Sequence, residues 1–176
     1  MPAGGGRKAL SSNGSEEAMA TIIQHLWFRE DMAGALETYT RLIPGSAVEW
    51  TSALQAESPS GPPGSVKIAA FRLGDQRYRA FEAAAPWGFN HTFSVMVECE
   101  DQAEIDRLWD GLSQGGEIEQ CGWLRDRWGL SWQITPRRLR ELMDDPDPAV
   151  VKRVSEAMLS MVKMDIAGLE AAAAGN

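Results

Sequence analysis

Hydrophobic positions along this chain switch between a period of about two and a period of about 3.6 residues, and they do so twice in the same order. Thr21 to Phe28, TIIQHLWF, is a short run of β-branched and aromatic residues, which predicts a strand. The following stretch, REDMAGALETYTRLI, places Met32, Leu36, Tyr39, Leu42 and Ile43 on one helical stripe, and Pro44-Gly45 ends it. Three strands are then expected, in SAVEWTSAL, SVKIAAFRLG and QRYRAFEAA. A loop rich in Pro, Gly and Ser separates the first two, and Gly74-Asp75 forms a hairpin turn between the others.

The pattern restarts after Pro86-Trp87-Gly88. HTFSVMVEC alternates, with Phe93, Val95, Val97 and Cys99 on one face and Thr92, Ser94 and Met96 on the other. EDQAEIDRLWDGLSQGG predicts a helix whose buried side is Ala103, Ile105, Leu108, Trp109 and Leu112, ended by Gly115-Gly116. EIEQCGWLRD and GLSWQIT read as strands joined by a turn at Arg127-Trp128-Gly129. A β-α-β-β-β order thus occupies residues 21–85 and returns in shorter form in 91–135. A single open sheet cannot bury its face alone, so a repeated unit of this size is expected to pack against its copy.

The tail differs. A short helix follows Pro136, and DPDPAVVKRVSEAMLSMVKMDIAGLEAAAA predicts one long amphipathic helix, capped by Asp147 with Pro148 at its first position. Val151, Val154, Met158, Met161, Val162 and Leu169 form its apolar stripe, suited to core or dimer contact. The expected fold class is α+β: residues 1–19 a disordered extension, 20–90 and 91–135 two βαβββ modules, and 136–176 a C-terminal helical extension that helps to form a dimer.

Charge and cysteine content narrow the function classes. The formal net charge is -8 and the basic residues are dispersed, so a polyanion is repelled and nucleic acid is not an expected partner. No apolar run approaches the ~18 residues that span a bilayer. The Gly-, Ala- and Ser-rich start has no continuous apolar segment of the secretory kind. A cytoplasmic location without membrane association is expected. The two cysteines, Cys99 and Cys121, then read as small buried hydrophobes rather than a disulfide or metal pair.

Four segments carry a family resemblance: LWF at 26–28, FN at 89–90, QCGWLRDRWGLSWQI at 120–134, and DPDP with RVSEAMLSMVKMDIAGLE within 144–170. Through them the chain resembles the PhnB-like branch of the glyoxalase/bleomycin-resistance (vicinal oxygen chelate) superfamily, described as 3-demethylubiquinone-9 3-methyltransferase domains. The resemblance implies two βαβββ modules whose sheets curve around a concave site for a small organic molecule, commonly in a homodimer. Methyl transfer of the class I type is not expected. Its cofactor needs a Gly-rich loop after a first strand in a doubly wound sheet, whereas Gly4-Gly5-Gly6 precede any strand here.

Metal-using members of the superfamily hold a divalent cation with His and Glu on inner strands. By that resemblance His25, His91 and Glu82 are the candidate ligands, and a metal-dependent lyase, isomerase or dioxygenase is one reading. Gln133 stands where those relatives carry Glu, and a neutral amide leaves the site one negative charge short. Ligand binding without a metal cofactor is therefore the favoured reading, and a non-catalytic dimeric interaction protein the third. Register decides much of this. If Phe28 faces the helices, His25 faces the cleft, but a slip of one residue reverses it. His91 has helix-facing parity, yet its place at a strand edge leaves its direction open.

Cys121 follows Glu117 and Glu119, and acidic neighbours oppose thiolate formation, so it reads as structural. Seven tryptophans are unusually many for this length. Trp109 and Trp132 have core parity. Trp27, Trp50 and Trp123, together with Gln133, are the candidates to line an apolar ligand site.

Overall fold

The computed structural model describes residues 20–176, so the expectation for residues 1–19 lies outside the described residues. The first unit runs β1 (Gln24–Phe28), α1 (Met32–Leu42), β2 (Ala47–Ala53), β3 (Lys67–Leu73) and β4 (Gln76–Glu82). The second runs β5 (Ser94–Cys99), α2 (Gln102–Leu112), β6 (Glu117–Ile118), β7 (Trp123–Arg125) and β8 (Ser131–Pro136). Each unit makes a four-stranded sheet, ordered β1-β4-β3-β2 and β5-β8-β7-β6. The β1–β4 and β5–β8 pairs are parallel and the other pairs antiparallel. Two such mixed sheets are not the doubly wound parallel sheet of a class I methyl-transfer fold.

α1 buries Met32, Ala35, Leu36, Tyr39 and Leu42, and α2 buries Ile105, Leu108, Trp109 and Leu112. The strands meet them with alternate residues, as the pleat requires. Leu26, Phe28, Phe71, Leu73, Tyr78 and Ala80 pack on the α1 side, and Val95, Cys99, Leu124, Trp132 and Ile134 on the α2 side. Each fully buried Leu or Phe stabilises by ~1.5–3 kcal/mol. All these residues belong to one continuous core, because α1 and α2 also pack on each other. Gly111 permits that approach, since a Cβ there would come within 2.7 Å of the Leu42 side chain. Two expected core positions depart from the pattern: Ala103 is exposed, and Phe93 precedes β5 and is 40% exposed.

The strand expected over 117–126 is broken into β6 and β7. Between them Cys121 (φ 56°) and Gly122 (φ 78°) are both left-handed, which no strand accommodates. The single long tail helix is also corrected: the tail forms α3 (Arg137–Met143), α4 (Pro148–Ser160) and α5 (Ile166–Ala174). Asp147 caps α4 as its sequence predicts, accepting from the Ala149 N–H, but Met161 is extended and Asp165 caps a new helix. The cause is tertiary. The N–H groups of Cys121 and Gly122 donate to the carbonyls of Met161 and Val162, and Gln102 clamps the Met164 carbonyl and the Ile166 N–H. Met164 enters the main core, while Val154 and Leu169 join Leu139 and Leu142 in a smaller one. Among the described residues no helix is long and apolar enough to cross a membrane.

Candidate ligand site on the open sheet faces

The faces of the two sheets turned away from α1 and α2 are left without a covering layer among the described residues. On sheet one, two rows of side chains cross that open face. His25, Arg79, Ala70 and Trp50 form one row, and Trp27, Phe81, Ile68 and Ser52 form the next. The Phe81 ring centroid lies 4.5 Å from both His25 and Trp27, and Trp27 lies 5.8 Å from Trp87. The Trp27 indole is oriented by donating to the Ala83 carbonyl at 2.9 Å. Burial lowers the His25 pKa from its ordinary 6.5, which keeps the imidazole neutral near pH 7. The Arg79 guanidinium carbon sits 4.9 Å from the centre of the Trp50 ring. At the outer edge of β1 a hollow of about 190 Å³ is lined by His25, Trp27, Trp87, Phe89 and Phe93.

On sheet two the row Met96, Gln133 and Trp123 crosses the open face. The Gln133 amide donates to Ser94 Oγ at 2.8 Å, so it is positioned by a neighbour on the same face. The His91 ring lies 5.1 Å from that of Trp123, and its Nε2 is 3.5 Å from a Glu119 carboxylate oxygen. Trp109 and Trp132 lie in the core, as their parity predicts. The ligand-site candidates Trp27, Trp50, Trp123 and Gln133 all stand on open faces, in two sets: Trp27 and Trp50 on sheet one, Trp123 and Gln133 on sheet two.

The three metal candidates of the alternative reading stand apart in the single chain. His25 does face the open side, since Leu26 and Phe28 take the core side. Glu82 has the parity of Tyr78 and Ala80 and lies on the opposite face. There Oε2 accepts from the Met32 N–H at 2.8 Å and Oε1 from Lys67 at 2.5 Å. Glu82 thus satisfies the N-terminus of α1, whose own N-cap residue, Asp31, makes no such bond. His91 lies in a turn before β5, on the second unit. Among the described residues no three His, Cys, Asp or Glu side chains converge, so within one chain these donors do not fit a divalent cation. The open-face residues of β4 are Arg77, Arg79 and Phe81, two cations and a ring where a ligating carboxylate would have to stand. The alternation in QRYRAFE signals this, because Tyr78 and Ala80 commit Glu82 to the core side.

Cys121 is half-buried in its left-handed turn, and the buried Cys99 thiol is pushed up to about 12, chiefly by burial. A larger cavity, about 760 Å³, lies on the other side of sheet one between α1 and β2, lined by Met32, Leu36, Thr40, Val48, Thr51 and Ala53. It touches none of the residues singled out from the sequence as ligand-binding.

A family profile described as 3-demethylubiquinone-9 3-methyltransferase matches residues 20–135, which are both βαβββ units and none of α3–α5. The tail segment 144–170, read as part of the resemblance, lies outside that match. Among solved structures, the putative 3-demethylubiquinone-9 3-methyltransferase, PhnB protein, of Bacillus cereus is 29% identical, with 66% of this chain and 99% of that one covered at a TM-score of 0.60. A protein of Pseudomonas aeruginosa shares the fold at 19% identity, with 67% and 98% covered and a TM-score of 0.53. A glyoxalase family protein from Bacillus cereus is 16% identical, with 70% and 95% covered and a TM-score of 0.45. No curated protein matches. With two paired βαβββ units in place and the profile spanning both, the chain belongs to the family described as 3-demethylubiquinone-9 3-methyltransferase.

Proposed function

We propose that the protein binds a small organic molecule on its open sheet faces, that a second copy completes the site, and that no catalytic metal takes part. The observation that carries this reading is the ring wall of His25, Phe81 and Trp27, with centroids 4.5 Å apart, on a face its own chain leaves uncovered. Rigid rings with few polar anchors suit a planar or apolar ligand. Exposed large side chains on the same faces, Trp50 and Met96, extend an apolar surface that a lone soluble domain rarely presents. Against metal chemistry stands the placement of Glu82 at the α1 terminus rather than beside His25.

The test is a titration of planar organic molecules followed through the tryptophan indole N–H signals in NMR. Ligand-dependent shifts of Trp27 and Trp50, unchanged by prior chelation, are expected. Shifts confined to groups around the α1–β2 cavity would move the site there. An absence of shifts across a chemically broad set, in a protein that still dimerises, favours the interaction reading and overturns the binding one.

A further inference from the structure

The open face of sheet one is cationic as well as aromatic. At the open-face positions of β1, β3 and β4 stand Arg72, Arg77 and Arg79, beside the neutral His25, and no Asp or Glu. Arg79 is the enclosed member. Its Nη1 is shut off from solvent and has no hydrogen-bond partner, although an unpaired buried N–H of a charged group is strongly disfavoured. The neighbours in its row supply none: Ala70 has no acceptor, Trp50 offers only a ring face, 4.9 Å away, and the neutral His25 ring, turned onto Phe81, makes no hydrogen bond to it. The carboxylate nearest in sequence, Glu82, points to the other face and is already engaged by Met32 and Lys67. The acceptor that Arg79 lacks must therefore come from outside this face.

We propose that Arg79 anchors the anionic group of a planar aromatic small molecule, a carboxylate or similar oxyanion, whose ring packs on the His25–Phe81–Trp27 wall. This rests on the open face being the ligand site. A guanidinium presents two parallel N–H groups that match a carboxylate, and it does so best where water is excluded. The wall lies one row away on the same face, so charge and ring are met together. Trp50 is the side chain that yields. It is 43% exposed, on an edge strand just beyond a register shift between Val48 and Trp50, and it turns off the guanidinium as the anion arrives. The net charge of -8 repels anions in general, so uptake of one reports a local site and not a diffuse field.

Calorimetry with indole-3-acetate and its uncharged amide separates the outcomes. Wild-type protein should prefer the acid by on the order of 10- to 100-fold, the range expected of a charge-assisted hydrogen bond. Arg79→Gln should erase that preference, Arg79→Lys should keep part of it, and Arg77→Gln should leave it unchanged. Melting curves confirm that the variants are folded. Equal binding of both probes to wild type, or a preference that survives in Arg79→Gln, overturns the role of Arg79 and leaves the open face as a ligand site. If neither probe binds nor moves the Trp27 and Trp50 signals, both the anchor and the site are rejected.

Discussion

Asp126, 4% exposed in the turn between β7 and β8, accepts four hydrogen bonds. Oδ2 takes the Tyr39 hydroxyl at 2.5 Å and the Trp132 indole at 2.8 Å, while Oδ1 takes the N–H groups of Trp128 and Leu130. Because Tyr39 belongs to α1, this carboxylate ties the first unit to the second. Asp126→Ala would leave these four donors without their acceptor, each at ~1–3 kcal/mol where no water replaces it, and a clear loss of stability in urea unfolding is expected. Tyr39→Phe removes one bond to the same group and should cost ~1.5–3 kcal/mol.

The same residues set a pH response. Burial, and then the Asp126 carboxylate, hold the Tyr39 hydroxyl well above its ordinary 10.0, and burial takes Cys99 from 9.0 to about 12. Both groups lose their protons more readily in the unfolded chain. Their contribution is therefore complete below pH 9.0 for Cys99 and 10.0 for Tyr39, and it is lost as pH rises through the folded values. Burial also raises Asp126 above 3.8 despite its bonds, so its contribution is likewise present below 3.8 and lost as pH rises through its folded value. Acid titration of Asp126 thus does not unfold the protein. Melting temperature should fall in alkali, and Tyr39→Phe should flatten the part of that fall above pH 10.0.

At the scale of elements, the hydrophobic periods made α1, α2 and the open-face tryptophans legible, since each reflects burial against the element's own sheet. The breaks in the tail were not legible, because they come from contacts distant in sequence. Residues 161–162 leave the helix to accept hydrogen bonds from 121–122, and those N–H groups are available only because Cys121 and Gly122 are left-handed. Arg79 and Phe81 are hard to read from sequence as site residues for a related reason. Glu82 is the donor-type side chain of this strand, while the strand's own alternation points the other two to the open face. Gln102 is the pin of the docked tail, bonding Met164 and Ile166 from α2 at 3.1 and 3.0 Å. Gln102→Ala should therefore raise amide hydrogen exchange across Met161 to Leu169, by ~1 kcal/mol per lost bond, and leave the α1 amides unchanged. Equal loosening of both regions would mean that the tail unfolds only with the whole protein.

At the scale of the whole molecule, the proposed pairing of two copies turns on which surface is covered. Two surfaces compete: the open sheet faces, where Met96 is 53% exposed, and the end of α4, where Leu159 is 62% exposed. Only the first encloses the ring wall. Light scattering on an eluting peak should give twice the chain mass of 19.3 kDa. Met96→Lys places an unpaired charge inside such an interface and should shift the peak to one chain mass, whereas Leu159→Lys should not. If Leu159→Lys dissociates the protein and Met96→Lys does not, the C-terminal helices hold the copies together. The ligand face would then be open to solvent in the dimer as it is in the single chain.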